Sequence, residues 1–133
     1  VQKDGRSIEL TFHHAGHVAG AVSVSVQSPK ESIFFTGDVL FNEQRTLDGA
    51  RPPLRPIDIL VMETTRGLSP RDPARQRESE IVALLESARK TLSGGGSVLI
   101  PIFALGRMQE MLFILDEAFR HEAIPPFRFF ALD

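Results

Sequence analysis

Apolar and polar positions along the 133 residues follow two different periods, and the change falls near the middle of the chain. Ser7 to Phe12 alternates, and Val18 to Val26 (VAGAVSVSV) alternates small or β-branched residues with serine, so both predict strands of period two. Ser28-Pro29-Lys30-Glu31 predicts a turn, and Ser32 to Thr36 (SIFFT) a short buried strand returning from it. Phe41 to Pro56 is polar, rich in proline and arginine and without periodicity, which predicts a long surface loop. Ile57 to Glu63 (IDILVME) is almost continuously apolar, the pattern of a central strand covered on both faces.

Beyond Gly67 the period becomes helical. Asp72 as N-cap and Pro73 at the first helical position predict a helix start. Ile81, Leu84, Leu85, Ala88 and Leu92 then fall on one face of that helix, and Gly94-Gly95-Gly96 ends it. Ser97 to Phe103 (SVLIPIF) predicts a strand. Gly106 opens a second helix whose apolar face carries Met108, Met111, Leu112, Leu115 and Phe119. Pro125-Pro126 stop it, and Phe127 to Leu132 (FRFFAL) predicts the next strand. Residues 57–133 thus run β-α-β-α-β, which implies a parallel sheet with right-handed crossovers. The expected fold class is α/β, divided near Gly67 into a β-rich part over 1–67 and a β/α part over 68–133. The chain opens in mid-pattern at VQKDGRSIEL, with neither an initiator Met nor a leader pattern, and a piece of a longer protein is expected.

Composition narrows the class. The chain is 42% apolar and 24% charged, the balance of a soluble globular domain. No apolar run approaches the roughly 18–20 residues of a membrane-spanning helix. Cysteine is absent, so disulfides and thiolate metal sites are excluded and any metal must be held by His, Asp and Glu. That absence is compatible with the cytoplasm, the expected location. The net charge of −2 conceals an uneven distribution. Between Arg45 and Arg77 stand seven arginines, no lysine and four acids, a stretch able to offer planar forks to phosphates or simply to be solvated.

Four features fall at the C-terminal ends of predicted strands, where open α/β sheets place ligands. They are His13-His14-Ala15-Gly16-His17, Thr36-Gly37-Asp38, Glu63-Thr64-Thr65, and the segment PIFALGR from Pro101 to Arg107 that leads into a helix. Each alone has a structural reading: histidines that satisfy a loop, carboxylates that cap turns, a glycine that permits close packing.

In order, AGHVAGAV, FFTGD, DILVMETT and GGGSVLIPIFALGRMQEMLFILDE resemble the β-CASP branch of the metallo-β-lactamase-fold nucleases, from about Phe12 to Glu117. The resemblance implies part of a metallo-β-lactamase αββα sandwich over 1–67, followed by the start of a β-CASP domain over 68–133. It also implies zinc-dependent hydrolysis of phosphodiester bonds, with RNA or single-stranded nucleic acid as partner and RNA processing or decay as the setting. By matching motifs, His17 is a zinc ligand and Asp38 is the carboxylate bridging two zinc ions. Glu63 is the acidic residue beside the metals, so Glu63 and Asp38 are the catalytic candidates. Two such ions about 3.5–4 Å apart share a hydroxide and stabilise an in-line displacement. Arg66 stands where the family often carries an aromatic, and Arg66 and Arg107 are candidate substrate contacts. His13 and His14 are expected in supporting roles, and His121 matches no motif.

The HxHxDH motif of the family does not occur in the sequence. Two ligands hold zinc poorly, because protein zinc sites use three or four. The chain alone is therefore expected to be inactive and weak in metal affinity. Two other readings share part of the pattern. A catalytically inactive scaffold of an RNA-processing complex would carry the same fold. A small-ester hydrolase would share His17 and Asp38 but not PIFALGR. Exposed sheet edges are expected to favour homo-oligomers.

Overall fold

Alternation in the first part of the chain builds a mixed sheet, seen in a computed structural model that describes residues 2–3, 6–69 and 76–131. Two short strands, β1 (Gln2–Lys3) and β2 (Arg6–Ser7), pair antiparallel with each other. The main sheet holds β3 (Glu9–His14), β4 (Val22–Gln27), β5 (Ser32–Phe35) and β6 (Ile59–Val61), in that spatial order. β3 and β4 are antiparallel, as are β4 and β5, whereas β6 lies parallel to β5. Consequently β3, β5 and β6 all point the same way.

The period of two is as expected, and the serine-bearing face is the buried one. Register sets Thr11, His13, Ser23, Ser25 and Phe34 on one face, and Ser25 there is only 1% exposed. Its buried serines are satisfied. Ser23 Oγ donates to the Thr36 carbonyl at 2.7 Å, and Ser25 Oγ lies 2.8 Å from His13 Nε2. Buried hydroxyls with partners cost little, so a serine row can line an interior. The opposite face carries Leu10, Phe12, Val22, Phe35, Ile59 and Val61, all exposed, with Phe12 at 66%.

Four strand expectations need correction. The second strand begins at Val22, not Val18, because residues 16–20 form the turn that carries His17. The run Ile57 to Glu63 is neither central nor covered on both faces. Only Ile59–Val61 is a strand; among the described residues it is a sheet edge, with all three side chains exposed. Ser97 to Phe103 and the described part of Phe127 to Leu132 form no strand, so the β-α-β-α-β order is seen only as one strand and two helices. A strand exists through the ladder of a neighbour, and no described strand pairs with either segment. Leu99 and Phe103 are correspondingly 90% and 84% exposed.

Contacts divide the chain into a unit of Val1–Thr65 and a unit of Arg66–Asp133. The second holds α1 (Arg77–Ser93) and α2 (Arg107–Arg120). Asp72 and Pro73 lie outside the described residues; Gln76, in extended conformation, is the N-cap of α1. The predicted face of α1 turns inward, with Ala88 fully buried and Leu85 packed on the core of Leu115, Ala118 and Ile124. In α2 the buried stripe is Glu110, Ile114, Leu115 and Ala118, while Leu112 and Phe119 remain exposed. Arg77 pairs with the buried Glu110, which neutralises a charge that would otherwise be costly inside. Gly106 (φ 80°) opens α2 with its N–H donated to Gln109 Oε1 at 2.7 Å. Among the described residues no helix is long and apolar enough to cross a membrane.

Candidate active site

Three loops follow the parallel-running strands and therefore leave the main sheet at one edge: residues 15–21 after β3, 36–38 after β5, and 62–65 after β6. They carry His17, Asp38 and Glu63 respectively. Open sheets bind ligands at this kind of edge.

Thr36 ties the second loop to the third. Its N–H donates to the Val61 carbonyl at 2.9 Å, and its Oγ1 accepts the Glu63 N–H at 3.2 Å. The same hydroxyl donates to the Gly37 carbonyl at 2.8 Å. Gly37 has φ 56°, which presents Asp38 on an exposed turn. Glu63 completes the connection. Its Oε1 accepts the Val39 N–H at 2.7 Å, directly after Asp38, and its Oε2 accepts the Thr65 hydroxyl at 2.7 Å.

These bonds act on the acidity of Glu63. The Thr65 hydroxyl first, the Val39 N–H second and the nearby charge of His17 last hold its carboxyl below the ordinary 4.5, against a smaller opposing effect of burial. Asp58 is also held below its ordinary value, by the Ser32 hydroxyl and N–H at 2.7 and 2.8 Å. In both cases the folded value is depressed. Their stabilising contribution is complete above the unfolded value and is lost as pH falls through the folded one. Thr65→Val is expected to move the Glu63 midpoint back up toward 4.5 in a carboxyl-carbon NMR titration; an unmoved midpoint would refute this assignment.

His17 sits half-buried in the turn of residues 16–20. The loop of residues 39–51 folds back along this turn. Leu40 N–H donates to the Ala15 carbonyl and Arg51 N–H to the His14 carbonyl, each at 2.9 Å, while Ala50 N–H bonds Leu40 O at 2.8 Å. Gln44 Nε2 reaches the carbonyls of Gly16 and His17 at 2.7 and 3.1 Å. His13 bonds Ser25 and meets Phe34 edge-on at 5.6 Å, and His14 Nε2 donates to the Asp48 carbonyl at 2.9 Å. The role of Gln44, the tie that Thr36 makes to the third loop and the return of residues 39–51 onto the His17 turn were not expected from the sequence, since these bonds run to residues far along the chain.

Of the remaining candidates, Arg66 lies exposed in the turn of residues 65–68 and Arg107 begins α2, both in the second unit. A cleft of about 660 Å³ is bordered by Ser7–Leu10 and Gln27–Pro29 at the other edge of the sheet, away from the three loops.

An imidazole and a carboxylate are donors that zinc accepts. Among the described residues, however, no group of three His, Cys, Asp or Glu side chains converges as a metal site would require. His17 and Asp38 do not by themselves fit a complete zinc centre.

Known proteins place the chain in a family of endoribonucleases. No family model matches it. Over 120 residues it is 41% identical to Endoribonuclease YSH1 of Eremothecium gossypii, a match covering 90% of this chain and 15% of that protein. It is 44% identical over 111 residues to Endoribonuclease ysh1 of Schizosaccharomyces pombe, covering 83% and 14% respectively. The Saccharomyces cerevisiae Endoribonuclease YSH1 is 38% identical over 120 residues, covering 90% and 15%. The chain belongs to the family of these endoribonucleases and spans about 15% of the length of such relatives.

Proposed function

We propose that the chain is the part of a zinc-dependent endoribonuclease that carries His17, Asp38 and Glu63, in a protein that hydrolyses phosphodiester bonds of RNA. The observation that carries this reading is the single sheet edge from which the three loops emerge, with Glu63 bonded to the residue after Asp38. His17 and Asp38 would contribute two of the ligands, and the rest would come from outside the described residues. Glu63, which feels the charge of His17, would hold an anionic partner beside that imidazole. Arg66, and Arg107 at the first turn of α2, would meet RNA phosphates, since helix N-termini favour anions.

The metallo-β-lactamase and β-CASP assignment belongs to the same proposal. Its support is the apolar face of Leu10, Phe12, Val22, Phe35, Ile59 and Val61, which lies exposed. Such a face calls for a second layer, as a sandwich supplies.

The test uses the full-length protein and single-stranded RNA. Cleavage is expected to stop on chelation and return with zinc, whereas the 133-residue chain alone should cleave nothing and hold zinc more weakly. A full-length protein that cleaves no RNA in zinc, or is indifferent to chelation, would overturn the proposal.

A further inference from the structure

We infer that Gln44 is a positioning residue that fixes the His17 turn, a role that rests on His17 belonging to the active site. Two successive carbonyls, of Gly16 and His17, accept from the one amide nitrogen of Gln44. A primary amide carries two N–H donors, so one side chain can satisfy both. Gln44 is itself set by its N–H donated to the Leu47 carbonyl at 2.8 Å.

The surrounding backbone leaves this turn little freedom. A Cβ on Gly16 would stand 2.3 Å from the Leu40 carbonyl oxygen and 2.5 Å from the Ala50 nitrogen. The loop of residues 39–51 and the His17 turn therefore touch backbone to backbone. Gln44 adds side-chain bonds to that contact, at two carbonyls of the turn. A turn held at both its backbone and its carbonyls fixes the direction in which the His17 Cα–Cβ bond leaves it. Removing the amide donors leaves two carbonyls without these partners. A carboxylate in the same place would set oxygen against oxygen.

Gln44→Glu keeps the shape and removes both donors; Gln44→Lys restores a donor on a longer stem. In the full-length protein, Gln44→Glu is expected to lower kcat for RNA cleavage by about 10–100-fold, as loss of an orienting partner does. KM for RNA should stay the same, and Gln44→Lys should recover part of the loss. In the 133-residue chain, Gln44→Glu should speed amide exchange at Leu40, Ala50 and Arg51 while leaving Val26 and Phe34 unchanged. An unchanged kcat, a loss in KM alone, or exchange that speeds equally at Val26 and Phe34 would overturn the role. If Asp38→Ala abolishes cleavage while Gln44→Glu leaves kcat unchanged, the positioning role alone fails. If the unaltered full-length protein cleaves no RNA, the parent reading fails and this role falls with it.

Discussion

Asp38→Ala in the full-length protein is expected to remove RNA cleavage while leaving the fold intact. Loss of a partner that only orients a metal ligand costs about 10–100-fold in affinity or activity. Asp38 is proposed to be a ligand itself, so a larger loss is expected. The fold should survive because the turn is held by others. Thr36 bonds Val61, Gly37 and the Glu63 N–H, and Val39 bonds the Glu63 carboxylate, whereas Asp38 is exposed. An exposed substitution away from such contacts changes stability by within about 0.5 kcal/mol. Asp38→Asn, which keeps the shape and drops the charge, should lose cleavage as well. Cleavage by either variant within tenfold of the unaltered protein would remove Asp38 from the site.

Gly16→Ala should be among the most damaging single-methyl changes in the first unit. Gly16 has φ 68°, which disfavours any L side chain by about 1–2 kcal/mol. Space adds a second cost. The new Cβ would lie 2.3 Å from the Leu40 oxygen and 2.5 Å from the Ala50 nitrogen, and both are backbone atoms that cannot rotate away. Overpacking of that kind typically costs about 1–3 kcal/mol. Gly20→Ala separates the two effects, because Gly20 has φ 83° and nothing within 4 Å of a Cβ. Urea unfolding of the 133-residue chain should show Gly16→Ala well below Gly20→Ala in midpoint. Equal midpoints would mean that the loop of residues 39–51 yields, and that the close approach does not constrain the turn.

The parts of the fold legible in the sequence were those set by local pattern. The inward face of α1 follows from its own spacing. So does the alternation of β4, but which side is interior does not. Ser23 and Ser25 are buried because their hydroxyl partners, Thr36 and His13, lie 13 and 12 residues away. In α2, apolar residues occur on two overlapping stripes, and packing with Leu85 and Ile124 selected Leu115 and Ala118, whereas Leu112 and Phe119 stay exposed. The run around β6 has a composition compatible with two-sided burial, but burial depends on neighbours the run does not encode. Motifs alone marked the positions of His17, Asp38 and Glu63. The loop that grips the His17 turn has no period, and the bonds it makes to that turn end on backbone carbonyls, so nothing in residue type announced it.

The strand directions also settle where the molecule can be handled. The β4–β5 connection lies at the edge of the sheet opposite His17, Asp38 and Glu63. It is stapled by Ser28, whose hydroxyl bonds Glu31 O at 2.9 Å and accepts the N–H groups of Lys30 and Glu31. Pro29 and Lys30 are exposed within it. A dye, a biotin or a surface tether attached at Lys30 therefore leaves the three loops unobstructed, giving a point of attachment for single-molecule work on RNA.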